Sequence, residues 1–351
     1  MTDYRSPIMA LSSAVLGDRA CRQIWLRLAT GLVTAVVLLC AGCQKRDPRA
    51  VIRNVQGPPP APAVLAVYMP WFGDHGHMNV GYSSQDPVTL RRQIEKAESM
   101  GISGFVVNWY GDRQPYLDRS YALLQQLATE TPFKVALMYD ESDGDQAQAT
   151  DDAIAAFDKA YKSYVGPDAA ARTAYLTYQG RPVIFVFPKG GHTDWNRIRQ
   201  HANSWAVPPL LLYKDEPPAN ESSAFDGEYA WVHPSGSQWS PDGSDWGADY
   251  LEAFYKRMLN RHPDKIAVGA AWPGFDDRSA PWSLNRYIDP RCGRTFEDSF
   301  RLFRRYYDRS HPLPFLLIAT WNDYEEGTAI ERGIATCTSG PRNSSAWRAN
   351  P

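Results

Sequence analysis

In the stretch TWNDYEEGTAI, residues 320–330, Asp323, Glu325 and Glu326 follow directly on the apolar run FLLIA. Two carboxyl groups beside a cleft suffice to cleave a glycosidic bond: a protonated one donates to the leaving oxygen, and an ionised one acts as nucleophile or base. Asp323 and Glu326 stand three positions apart, so a turn of helical pitch points them the same way. An apolar wall from Trp321 and Tyr324 separates their pKa values. The same positions also suit the caps of a short helix entered from a strand.

A carboxylate cluster also suits a metal. DHGH, after the first apolar run, offers His75 and His77, and Lys189, His233 and Asp323 follow later runs. That is loosely the layout of metal-dependent amidohydrolase barrels, although no His follows the fifth run and a ligand set needs every member in place. No G-x-S-x-G elbow supports a serine nucleophile. Neither a metal nor any other cofactor is expected.

Eight short apolar runs recur along the chain, at 64–72, 104–110, 134–140, 182–188, 209–213, 228–234, 265–272 and 315–321. Segments with helical spacing lie between them, clearest at 87–100, 151–164, 246–261 and 295–309. Alternation of this kind predicts an α/β fold, a single (β/α)8 TIM barrel, with the fifth and sixth runs separated by too few residues for a full helix. Catalytic groups in such barrels sit at the C-terminal strand ends. Nearly every run ends in aromatics beside acids or amides, and TWND closes the eighth.

Ahead of the barrel, Arg19, Arg22 and Arg27 precede LATGLVTAVVLLC, which has the length of a signal h-region and is short for a membrane span. The run ends in CAGC, similar to a bacterial lipobox with Cys40 at the position usually held by Leu. Residues 1–42 are therefore expected to be a lipoprotein-type signal peptide, with Cys43 lipidated. An uncleaved signal anchor is the alternative, and both put the domain outside the cytoplasm, the lipid anchor on a bacterial outer membrane or cell surface. Residues 43–62 read as a Pro-rich tether, 63–340 as the barrel and 341–351 as a tail. Cys292 and Cys337 then remain as a disulfide pair. With 37 Lys and Arg against 39 Asp and Glu and no long single-sign block, nothing points to nucleic acid as a partner.

The two ends of the barrel region carry a resemblance. VYMPWFGDHGH…VGYSSQDPVTLRRQIEKAESMGISGFVVNWYG resembles the opening of glycoside hydrolase family 99 and related family 71/99-like barrels, and TWNDYEEGTAIE is similar to the family 99 segment W-N-E-W-H-E-G-T-x-I-E. The resemblance implies a hydrolase of an α-linked polysaccharide or oligosaccharide, of the α-mannan or α-glucan class, and the CAGC stretch is what is expected to join it to the membrane by a lipid. It implies Glu326 as general acid/base and Asp323 as the second catalytic carboxylate, one methylene shorter than the family's Glu. That Glu acts on the sugar 2-hydroxyl, so the shorter side chain leaves direct attack, activation of water or substrate binding open for Asp323. Trp321, Asn322, Trp109, Tyr110, Asn108, Glu141, Tyr82 and Trp71 would line the cleft. A lipoprotein that binds glycan without cleaving it is the alternative if the shorter acid disables the chemistry.

Overall fold

The computed structural model describes residues 61–337 apart from 191, 234–238, 309–312 and 335. The leader, Cys43, the tether up to residue 60 and the tail at 341–351 lie outside the described residues. Eight parallel strands form the barrel: β1 Ala63–Tyr68, β2 Gly104–Trp109, β3 Lys134–Asp140, β4 Arg181–Phe187, β5 Leu210–Lys214, β6 Gly227–Tyr229, β7 Ile266–Ala271 and β8 Phe315–Ile318. Each pairs with its sequence neighbours, and β8 closes on β1 with Ala63 opposite Phe315 and Ala66 opposite Ile318.

Six helices pack outside: α1 Pro87–Ser99, α2 Pro115–Ala128, α3 Gln146–Ala160, α4 Trp195–Ala202, α5 Ala248–Arg261 and α6 Arg294–Tyr306. Their starts have local causes. Asp86 accepts from the backbone N–H of Val88 and Thr89, and Pro87 occupies the first turn, where its missing N–H costs nothing. Asp145 caps α3 in the same way, so that helix begins five residues before the apolar spacing suggested. Between β5 and β6 there is only the 3-10 turn Ser222–Ala224, as the short connection required. Among the described residues, no helix is long and apolar enough to cross a membrane.

Strand alternation divides the core into two shells. Leu65, Val67, Val106, Met138, Phe185 and Leu317 fill the barrel interior. Tyr68, Phe105, Trp109, Tyr139 and Trp321 face outward into the layer between strands and helices. The first apolar run continues to Phe72, but β1 stops at Tyr68. Beyond it Pro70 has no N–H to donate, and Met69 pairs with a side chain instead of a strand.

A disulfide joins Cys292, just before α6, to Cys337, 45 residues on, with Cα atoms 5.0 Å apart. It ties the chain after the β8 loop back to the barrel wall. Closing a loop of this length restricts the unfolded chain, so Cys292→Ser is expected to lower unfolding free energy by about 2–4 kcal/mol. Urea denaturation of the variant, and of the wild type with and without reductant, measures this.

Candidate active site

The seam between β8 and β1 continues past the strand ends through one side chain. Asn322 Oδ1 accepts from Met69 N–H at 2.8 Å, and its Nδ2 donates back to the Met69 carbonyl at 3.0 Å. The backbone N–H of Trp321 donates to Val67 just before it. The amide of Asn322 thus stands in for a peptide group and extends the β1–β8 ladder. The chain then folds back on itself: Thr320 N–H donates to the Thr328 carbonyl, Glu331 N–H to the Trp321 carbonyl, and the Thr320 and Thr328 hydroxyls meet at 2.9 Å. Gly327 turns this loop at a φ of 65°, and a Cβ there would come within 3.2 Å of the Asp276 backbone nitrogen.

Within that loop Asp323 Oδ1 accepts from the N–H of Glu325 at 3.1 Å and of Glu326 at 2.9 Å, so the Asp323 carboxylate caps the turn carrying Glu326. Its Oδ2 is buried without a hydrogen-bond partner. Burial raises the Asp323 carboxyl well above the ordinary range, and the charge of Glu326 adds to the rise. Glu326, only partly buried, is also raised by burial; the Trp282 N–H and the nearby Arg286 and Lys189 pull it back down. Two adjacent buried carboxyls cannot both ionise cheaply, so the pair keeps a proton at pH values where an exposed carboxyl has lost it. Glu326 is the more exposed member of the pair.

Glu325 points the other way. Its carboxylate accepts from the Met78 N–H at 2.8 Å and meets His77 Nδ1 at 3.0 Å, docking the DHGH loop onto the β8 loop. The His77 ring stacks on Trp71 with centroids 4.6 Å apart. His75 is exposed, and among the described residues no three His, Cys, Asp or Glu side chains are grouped to hold a metal. Glu331 accepts from Tyr82 at 2.9 Å, Tyr324 at 2.7 Å and Gln93 of α1 at 2.6 Å. The loop is therefore anchored on three sides around Glu326.

The profile of glycosyl hydrolase family 71 matches residues 63–332, almost the whole described barrel. The chain belongs to glycosyl hydrolase family 71. Its activity class is hydrolysis of glycosidic bonds. The similar solved structures include a family 99 endo-alpha-mannosidase from Bacteroides thetaiotaomicron bound to bis-tris propane, 20% identical, TM-score 0.58, covering 76% of this chain and 86% of that one. A second structure of that organism's family 99 enzyme is 18% identical with TM-score 0.57, covering 81% and 94%. A glycoside hydrolase-like protein follows at 14% identity and TM-score 0.55, covering 79% and 89%. These likenesses show a shared fold. No curated protein matches the chain.

The remaining residues singled out in this family 71 chain divide by strand phase. Trp71, Asn108 and Tyr110 belong to the interior side of the barrel mouth, with Asn108 Nδ2 3.3 Å from the Tyr110 hydroxyl and Asn108 Oδ1 buried and unpaired. Tyr82 is half-buried, held by Glu331 and near Asn322 Nδ2 at 3.3 Å. Trp109 and Trp321 are corrected: both face the outer layer, Trp109 donating to Asp118 and Trp321 packing on Phe105, because alternate residues of a strand point to opposite sides. Asn322 serves the seam and is fully buried. Glu141 is corrected too. It is buried, and its carboxylate accepts from the backbone N–H of Lys189 and Thr193, organising the β4 exit.

The residue next to it is the one that faces inward. Asp140 continues the phase of Ala136 and Met138 and pairs with Lys189 at 3.3 Å. Burial raises its carboxyl, and Lys189 opposes the rise. Lys214 closes the same wall, its ammonium 3.9 Å from the Phe187 ring centroid, with its pKa lowered by burial against the pull of Asp215 and Asp140. Counting alternate positions from the apolar residues of β3 and β5 would have found both.

A raised carboxyl pKa has a consequence for stability. The folded state holds the Glu326 proton more tightly than the unfolded chain does. The resulting stability is complete below the unfolded carboxyl pKa of about 4 and is lost as pH rises through the folded value. Glu326→Gln removes that loss, so its melting temperature is expected to exceed wild type by roughly 2–4 °C at neutral pH and to match it near pH 4. Calorimetry at the two pH values tests the sign.

Proposed function

We propose that the protein hydrolyses α-linked polysaccharide or oligosaccharide of the mannan or glucan class, with Glu326 as general acid/base and Asp323 as the second carboxylate. The observation that carries the reading is geometric: two carboxyls three residues apart at the exit of β8, with Asp323 Oδ1 accepting from the Glu326 N–H at 2.9 Å, so that one acid holds the turn that presents the other. The α-mannan preference rests on the family 99 resemblance and on the endo-alpha-mannosidase named among similar folds.

In the forward step Glu326 gives its proton to the glycosidic oxygen, which keeps the electron pair of the breaking C1–O bond. In the second half, the Glu326 carboxylate takes a proton from water as the water oxygen bonds to C1 and the C1–O bond of the intermediate, to Asp323 or to the sugar O2, breaks. In the reactive form the one proton that the pair retains is on Glu326, which leaves Asp323 ionised to meet charge at C1, either directly or by taking the proton of the sugar 2-hydroxyl as that oxygen bonds to C1. Asp140, Lys189 and Lys214 supply donors and acceptors for sugar hydroxyls on the opposite wall. Trp71 and Tyr110 offer aromatic surface to the ring.

Activity should persist in EDTA on α-mannan and α-glucan panels and fall by about 100- to 10,000-fold in Glu326→Gln. Asp323→Asn keeps an Oδ1 to cap the turn but removes the charge, so it separates the two roles. A loss of about 100-fold or more supports catalysis. Full activity would reduce Asp323 to the cap. Proton NMR of the first product gives the anomeric outcome.

We infer that the barrel works outside the cytoplasm on a lipid anchor at Cys43, as the CAGC stretch implies. The Cys292–Cys337 disulfide supports an oxidising compartment. Cys43→Ser should move the protein from the membrane to the soluble fraction, and unchanged fractionation would reject the anchor.

A further inference from the structure

Trp282 lies in the connection between β7 and α6 and is 39% exposed, yet its indole N–H donates to Glu326 Oε1 at 2.9 Å. Its ring meets Trp71 edge-on at 6.0 Å and His77 at 6.2 Å, the same two rings that stack on each other. The segment bearing it is not left loose. Asp277, fully buried, accepts from the Arg286 guanidinium and backbone N–H, each at 2.7 Å, and from the Leu284 N–H at 3.2 Å. Short strands at Phe275–Asp276 and Tyr287–Ile288 pair across its base. An exposed tryptophan is thus held with its one polar atom on the carboxyl of the reacting residue.

We propose that Trp282 is a positioning residue for Glu326, fixing Oε1 as a hydrogen-bond acceptor so that the transferable proton resides on Oε2. The proposal rests on the reading of Glu326 as acid/base. An indole N–H can only donate. A protonated carboxyl has one O–H and one carbonyl oxygen, and the carbonyl oxygen is the better acceptor. As the glycosidic bond breaks, the leaving oxygen keeps its electron pair and takes the proton from Oε2. Glu326 becomes a carboxylate, and the bond from Trp282 to Oε1 strengthens because its acceptor is now charged. A contact that is stronger at the transition state than before it lowers the barrier instead of merely tightening binding. Glu325 contributes at one remove: it holds His77, which with Trp71 seats the indole. The DHGH motif therefore finds its use in aromatic packing around the acid.

Trp282→Phe keeps the ring and deletes the donor. Turnover of an α-linked mannose or glucose oligosaccharide is expected to fall about tenfold to 100-fold. The kcat/KM for the matching glycosyl fluoride, which reports the step in which fluoride leaves without needing a proton, is expected to be unchanged. The basic limb of the kcat/KM profile should move to higher pH, since ionised Glu326 loses a donor, and Trp282→His, with a ring N–H, should recover part of the rate. Equal losses on both substrates, or an unmoved basic limb, would overturn the proposal by reducing Trp282 to packing. Glu326→Gln is the control on the underlying reading. If it keeps oligosaccharide activity, the acid/base assignment fails; if it abolishes that activity while Trp282→Phe is silent, only the positioning role fails.

Discussion

A single side-chain amide, that of Asn322, carries the pairing of the first and last strands beyond the point where their backbone ladder ends. The loop that carries Asp323 and Glu326 is hung from that seam. Because Asn322 is tied to Met69, the residues after it cannot run on as a strand. They fold into the closed loop 320–331, whose turn is capped by Asp323 and whose exit is held by Glu331 against Tyr82, Tyr324 and α1. A buried amide with both polar atoms satisfied is a stiff connection, since releasing it would leave donors and acceptors unpaired. Stiffness there is what catalysis by a carboxyl needs, as small displacements of a reacting group are costly.

The charges around the seam are buried at some cost to stability. Asp323 and Glu326 are both buried enough to resist ionisation. Across the mouth, Asp140 and Lys214 are likewise pushed toward neutrality by burial, each opposed by a neighbour of the other sign. Buried ionisable groups of this kind are rare in a core that exists only to be stable, and they cluster where protons must move. Glu325, between the two proposed catalytic carboxyls in sequence, is spent on the first loop instead, through His77 and Met78. One short stretch of acids therefore contains a cap, a clamp and the proposed acid.

The barrel was legible because a strand buried on both sides is an uninterrupted apolar run, and eight such runs spaced by helical segments leave few arrangements open. Less visible was the phase of each strand at its exit. Trp109 and Trp321 have the composition expected of sugar platforms and sit at the right strand ends, but each falls on the outward side. Asp140 and Glu141 are adjacent acids, and only register decides that Asp140 enters the mouth while Glu141 binds backbone. Trp282 carried no signal, because nothing near it in sequence is catalytic.

From its sequence alone, the protein's strand and helix order, its cysteine pair and the importance of residues 320–331 followed, because apolar periodicity and local turn chemistry act over short stretches of chain. What holds each acid of that stretch in place did not. That was decided by contacts between residues far apart in sequence: Asn322 with Met69, Glu325 with His77, Glu326 with Trp282. A side chain's direction and its proton affinity depend on the neighbours that surround it, and only the closed barrel brings those neighbours together.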